Sequence, residues 1–183
     1  GEIFGLLGPN GAGKTTTLEI METLREKTSG EVLIDGISLD QNPNEIKKII
    51  GVQLQAAGYY PSLSLLELLE LFSGLYNIKI NPMEMLSNVG LQDKAKAKYK
   101  ELSGGQKQRF SITTTLINNP KIVFLDEPTT GLDPQARRNL WELVKQIRAK
   151  GTTIMLTTHY MDEAEQLCDR VGIIENGKII RID

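Results

Sequence analysis

The residues best equipped for chemistry are Gly8, Pro9, Asn10, Gly11, Ala12, Gly13, Lys14, Thr15 and Thr16, read as GPNGAGKTT. They fit G-x-x-x-x-G-K-[ST], with Gly8, Gly13, Lys14 and Thr15 at the fixed positions. Gly8, Gly11 and Gly13 carry no side chain, so the backbone can turn tightly and aim successive N–H groups at a phosphate. The Lys14 ammonium can reach the β- and γ-phosphates of a nucleotide, and the Thr15 hydroxyl can ligate Mg²⁺. A helix over residues 14–24 would add its positive dipole end. A second group lies far along the chain. Asp126 and Glu127 end the apolar run Ile122, Val123, Phe124, Leu125. In a parallel sheet, ligands sit beyond the carboxyl ends of the strands. Asp126 is therefore placed to hold Mg²⁺, directly or through water, and Glu127 to polarise a water for in-line attack on a γ-phosphate. Leu102, Ser103, Gly104, Gly105 and Gln106 form a second Gly-rich turn at a helix start, whose N–H groups and Ser103 hydroxyl make another anion site.

The elements that must position these groups can be read from pattern. Ile3, Phe4, Leu6 and Leu7 read as a buried strand ending in the first loop. Residues 31–34 and 38–39 read as strands around the Asp35-Gly36 hairpin signal. A short helix is expected over 44–49, and a strand over 50–54 ending at Gln55. Residues 63–76 are apolar at helical spacing, with Ser64 and Glu67 as a capping box. Short helices are expected over 82–89 and 93–99, and a helix over 105–118. Residues 91–100, rich in Lys and Ala, read as a solvated face. Residues 121–125 read as a strand covered on both faces. Asp133 caps a helix over 134–150 with Pro134 at its first position and Gly151 as its stop. A strand over 153–156, a helix over 162–168, and strands over 171–175 and 178–182 flanking Asn176-Gly177 complete the chain. Strands alternating with helices imply an α/β fold with a parallel sheet. The helical run 61–118 interrupts that alternation and reads as an inserted subdomain, leaving 1–60 and 119–183 as the core.

Composition narrows the classes. The 183 residues suit one domain, and 40% hydrophobic content supports a core. A net charge of -2 leaves no electrostatic footprint for nucleic acid or an acidic membrane surface. No apolar run approaches the ~20 residues that span a bilayer. No leader is expected before the first strand, and the single cysteine, Cys168, makes no internal disulfide; a cytoplasmic setting and a core role for Cys168 are expected.

Taken in order, these motifs resemble the nucleotide-binding domain of an ABC ATPase over nearly the whole chain: GPNGAGKT, a glutamine at a strand end, LSGGQ, FLDEP, GLD and a histidine, His159, the only one present. The resemblance implies a P-loop NTPase fold with a mostly parallel sheet, an inserted helical subdomain and an antiparallel β subdomain. It implies ATP and Mg²⁺ as cofactors, catalysis by Glu127 with His159 and Gln55, and metal contacts from Thr15, Gln55 and Asp126. Gln55 would also report to a membrane partner. Gln53 is a neighbouring candidate, because the family's usual Pro before that glutamine is Leu54 here. His159 would contact the γ-phosphate. Asp133 would lie at a dimer interface, and Ser103, Gly104, Gly105 and Gln106 would bind ATP held by the other subunit. The implied partners are a membrane permease and a second copy or a paired ABC ATPase subunit, at the cytoplasmic face of the membrane, without nucleic acid. The wording around GLDPQARRNLW and TTHYMDEAEQLCDRV is similar to drug-, lipid- or polysaccharide-type exporters. Family members carry further residues before GEIFGLLGPNG, including an aromatic that stacks on adenine, so this chain is expected to be a trimmed piece with a truncated antiparallel subdomain. Two rivals stay open: a soluble ABC protein acting on ribosomes or DNA, and a regulatory module that does not hydrolyse. The presence of both Glu127 and His159 argues against the second.

Overall fold

Ile3–Leu7 (β1) is apolar on both faces, so it must be covered on both sides. The computed structural model, which describes residues 1–53 and 58–183, meets that requirement by placing β1 inside a six-stranded sheet. The other strands are Ile50–Gln53 (β4), Ile122–Asp126 (β5), Thr153–Thr158 (β6), Arg170–Glu175 (β7) and Lys178–Ile182 (β8). Their order is β4-β5-β6-β1-β7-β8. All neighbours pair in parallel except β7 and β8. Those two form the expected hairpin, and Asn176 and Gly177 both take the positive φ that such a two-residue turn requires. A separate two-stranded antiparallel sheet joins Leu33–Ile34 (β2) to Ile37–Ser38 (β3).

Seven helices accompany the strands among the described residues: Lys14–Met21 (α1), Pro43–Ile49 (α2), Leu65–Tyr76 (α3), Pro82–Asn88 (α4), Gly104–Thr115 (α5), Pro134–Ala149 (α6) and Met161–Leu167 (α7). The two-residue period of β5 divides the core. Val123 and Leu125 pack into one cluster with Leu65, Leu68, Phe110, Ile112, Leu140 and Val144 from the helices α3, α5 and α6. Phe124 points the other way, into a cluster with Leu18 of α1, Ile46 of α2 and Ile34 of β2. β4 and β5 are neighbours in the sheet, yet the chain between them carries α3, α4 and α5. That excursion is tied at its return. Lys121 N donates to Ile49 O at 2.8 Å, and Asn118 Nδ2 donates to Ile50 O at 2.9 Å. None of the helices among the described residues is long and apolar enough to cross a membrane.

Three expectations need correction. The helix expected over 93–99 is replaced by two short 3₁₀ turns, Gln92–Lys94 and Tyr99–Glu101. The carbonyls between them are used elsewhere. Leu65 N donates to Ala97 O at 3.0 Å and Leu66 N to Ala95 O at 3.1 Å. They satisfy the orphan N–H groups that open α3, so they cannot join a ladder of their own. Nor is this stretch wholly a solvated face, since Leu91 and Ala95 are buried. The first helix also stops at Met21 rather than running to Leu24. Thr23 takes φ 64°, and Leu24 N and Arg25 N both fold back to Glu19 O. The capping box Ser64–Glu67 and the Asp133 cap form as read, with Asp133 Oδ1 accepting from Gln135 N and Ala136 N, each at 2.9 Å.

Candidate active site

β1 runs out at Leu7 into the Gly-rich loop, and α1 begins at Lys14. Gly13 sits at the helix N-cap with φ 103°, a conformation that any Cβ would strain. No side chain caps α1, so the N–H groups of its first turn are left for a ligand. The loop is anchored from both sides: Gly8 N donates to Thr158 O at 3.3 Å, and Gly177 N to Ala12 O at 2.9 Å. Pro9, Asn10, Gly11, Thr15 and Thr16 are exposed, whereas Gly8, Ala12 and Lys14 are buried. The Lys14 ammonium lies inside the loop, donating to Gly8 O at 2.8 Å and Pro9 O at 3.1 Å.

The ends of β5 and β6 bring the second group of residues to this loop. Asp126 is buried, and its Oδ2 accepts from Thr15 Oγ1 at 2.9 Å across 111 positions of sequence. Its other oxygen accepts from the Thr157 hydroxyl. Thr157 Oγ1 in turn accepts from Glu127 N at 3.0 Å. That bond holds Glu127 at φ 46°, a left-handed backbone that a non-glycine residue adopts only when its surroundings enforce it. The twist aims the Glu127 carboxylate between two cationic groups or donors. Oε1 lies 3.3 Å from Lys14 Nζ, and Oε2 lies 3.2 Å from His159 Nδ1. Thr130 Oγ1 also donates to Oε2, at 3.1 Å. Partial burial alone would raise the Glu127 pKa. The close contacts of Lys14 and His159, with their charges, outweigh it and hold the carboxyl below its ordinary value. Glu127 is thus ionised at neutral pH.

Gly8 through Thr16, Asp126, Glu127 and His159 therefore converge at the carboxyl edge of the sheet. Ser103, Gly104, Gly105, Gln106 and Asp133 do not join them. These five line a separate open cleft of about 450 Å³ with the first turns of α5 and α6. Within that cleft the Ser103 hydroxyl accepts from Gln106 N at 3.3 Å, and Gln106 Oε1 accepts from Ser103 N at 2.9 Å, so the hydroxyl first serves as a helix cap. Gln55 lies outside the described residues. Gln53 ends β4, is buried, and its Oε1 has no hydrogen-bond partner among the described residues. Sequence reasoning does not single out Thr157, whose hydroxyl links the Asp126 carboxylate to the Glu127 backbone N–H; the only available signal is its place just before Thr158-His159. It also misses the support of His159. Tyr160 stacks on the imidazole with ring centroids 4.1 Å apart, and the Arg137 guanidinium lies 4.5 Å over the Tyr160 ring.

The donor set suits a hard divalent cation that keeps waters and takes phosphate oxygens. One hydroxyl and one carboxylate, Thr15 and Asp126, touch here, and among the described residues no three His, Cys, Asp or Glu side chains converge into a cage. That is the pattern of Mg²⁺ bound with a nucleotide rather than by protein alone.

Behind this edge sits a buried acid. Burial, with the charges of Asp126 and Glu19, pushes Glu22 up to about 7. Its folded pKa lies above its unfolded one, so the fold favours the protonated form. The contribution of Glu22 to stability is then fully present below the ordinary carboxylate value and is lost as pH rises from there to about 7. Glu22→Gln removes this cost and should stabilise the chain by roughly 1–3 kcal/mol at pH 8, with little effect near pH 4.5. Melting temperatures of the two proteins across that range check it. Parallel curves would count against a raised Glu22 pKa.

Comparisons with known proteins identify relatives in sequence and in fold. A sequence profile of the family described as ABC transporter matches residues 1–130. The linearmycin resistance ATP-binding protein LnrL of Bacillus subtilis is 41% identical over 100% of this chain and 60% of its own length. The Nod factor export ATP-binding protein I of Burkholderia orbicola is 42% identical over 98% of this chain and 61% of its own. The chain thus spans about three fifths of these relatives. Among solved structures, the dimeric ATP-binding cassette MJ0796 in a post-hydrolysis state bound to ADP and Pi superposes with a TM-score of 0.85 at 31% identity, covering 100% of this chain and 84% of that one.

Proposed function

Because this chain belongs to the ABC transporter family, we propose that it binds Mg-ATP, hydrolyses it at a head-to-tail dimer interface, and so powers a membrane permease, as an exporter. The observation that carries the hydrolytic part is the Glu127 carboxylate, ionised and aimed between Lys14 Nζ and His159 Nδ1 beside the loop. Lys14 and the free N–H groups of α1 would hold the β- and γ-phosphates. Thr15 and Asp126 would hold Mg²⁺, which when bound neutralises phosphate charge. Glu127 would orient and polarise the attacking water, and His159, braced by Tyr160, would meet the γ-phosphate. Gln55 would complete the site. The relatives named for Nod factor export and linearmycin resistance support the exporter reading. The partner would be a membrane permease and the position the cytoplasmic face of the membrane, a reading that the relatives named as export and resistance ATP-binding proteins support. A net charge of -2 supports no role on nucleic acid. Residues 61–118 would form the helical subdomain and 1–60 with 119–183 the ATP-binding core.

Sharing of sites between subunits draws support from the separation of the two Gly-rich turns. Ser103 and Gly104 are exposed in a cleft that no phosphate-loop residue lines. Ser103, Gly104, Gly105, Gln106 and Asp133 would therefore complete the site of a second copy or a paired ATPase subunit. Mixing two lesions tests this. Ser103→Arg and Lys14→Ala homodimers each have one broken half in every site. A mixed dimer has one site with both halves sound. Mixing should restore activity up to about half the parental rate per mixed dimer, or less if closure needs ATP in both sites. Activity that stays at the level of the separate variants, with mixed dimers shown to form, would reject shared sites.

A further inference from the structure

Glu163 stands in the first turn of α7 and is 1% exposed. Among the described residues no lysine or arginine pairs with it. A buried carboxylate without an ionic partner is costly unless its oxygens are well bonded. Its bonds converge on one atom. Thr129 Oγ1 donates to Glu163 Oε1 at 2.7 Å, and Trp141 Nε1 donates to the same oxygen at 3.0 Å. These three residues come from three places. Thr129 is 1% exposed and lies in the loop that leaves Glu127 and reaches Asp133. Trp141 belongs to α6, the helix that Asp133 caps. Glu163 belongs to α7, which starts immediately after His159 and Tyr160. Apart from the Glu127 N–H, which Thr157 Oγ1 holds, the loop's other hydrogen bonds among the described residues are local, such as Thr130 N to Glu127 O at 3.2 Å and Leu132 N to Thr129 O at 3.1 Å.

We propose that Glu163 is a positioning residue: its Oε1 clasps the 127–133 loop to α6 and α7, and so fixes the Glu127 carboxylate relative to His159. This rests on the ATPase reading of the site. The role asks for an acceptor oxygen, since both donors share one atom, and not for a charge. Glutamine can supply that oxygen and methionine cannot. Thr129→Val removes only the donor on the loop and leaves the link to Trp141.

The test uses the full-length protein with Glu163→Gln, Glu163→Met, Thr129→Val and the last two combined. Trp141 is the only tryptophan in these 183 residues, and its indole N–H signal in a ¹H–¹⁵N spectrum, assigned by its loss in Trp141→Phe, reports the clasp directly. In Glu163→Gln that signal should stay protected from exchange, with kcat close to the parental value. In Glu163→Met protection should be lost, and kcat should fall ~10- to 100-fold, the scale of a small displacement near reacting groups, with the affinity for a fluorescent ATP analogue unchanged. Thr129→Val should lower kcat similarly while the indole stays protected. The combined variant should be no slower than Glu163→Met alone, because both lesions cut one link. Parental kcat in Thr129→Val, additive losses, Glu163→Gln as slow as Glu163→Met, or ATP affinity that falls in step with kcat would each overturn the proposal. If the parental protein does not hydrolyse ATP, the ATPase reading fails. The indole signal then decides the clasp alone, and unchanged exchange in Glu163→Met overturns it.

Discussion

Glu127→Gln should bind Mg-ATP with near-parental affinity and turn it over roughly 10²–10⁴-fold more slowly, the scale of a lost general base. The substitution keeps the size of the side chain and one acceptor oxygen, so the Thr157 bond to the Glu127 N–H and the twisted backbone at this position are not disturbed. It removes the negative charge that lies 3.3 Å from the Lys14 ammonium. That change leaves Lys14 more available to phosphate, which is why binding should not suffer. Hydrolysis requires the opposite property, a group that stays ionised and can draw a proton from water. In the native chain the donors from Lys14 and His159 secure the ionised form against the effect of burial. The check is a single-turnover measurement beside an equilibrium binding curve. Hydrolysis within a fewfold of parental would remove Glu127 from the role of base and shift attention to His159.

Lys14→Ala should lose most nucleotide affinity, turnover, or both. The ammonium is buried, and its donors end on Gly8 O, Pro9 O and the Glu127 carboxylate. Truncating one partner of a buried, hydrogen-bonded charge pair costs ~2–5 kcal/mol, or about 30- to several thousand-fold. Here the partner left behind would be a nucleotide phosphate as well as Glu127. The same lesion removes one of the contacts that keep the Glu127 carboxyl low, so its pKa should rise from that lowered position. Lys14→Ala is therefore expected to damage catalysis through Glu127 even where ATP is forced on by high concentration. A variant that binds and hydrolyses ATP like the parent would sink the assignment of the loop.

What the sequence determined by itself is the set of features that close within a few residues. The phosphate loop is one, because glycine spacing and a following helix start decide it locally. The Ser64–Glu67 capping box, the Asp133 cap and the Asn176-Gly177 turn are others. The doubly apolar strands were legible too, since continuous runs such as IVFL must be covered on both faces. What only the tertiary structure decided depends on groups far apart in the chain. The bond from Thr15 to Asp126 spans 111 positions, and that from Thr129 to Glu163 spans 34. No periodicity encodes the placement of β1 between β6 and β7, yet that placement puts Thr157 and His159 beside the loop. Residues 93–99 have helical composition, but tertiary demand from the opening of α3 consumed their carbonyls. The residues of the two Gly-rich turns do not by themselves say what each turn faces. The fold set one at the carboxyl end of β1, facing Asp126 and Glu127, and the other in an exposed cleft of its own. A helix start can be made by three neighbouring residues, but what it faces is settled by strand order.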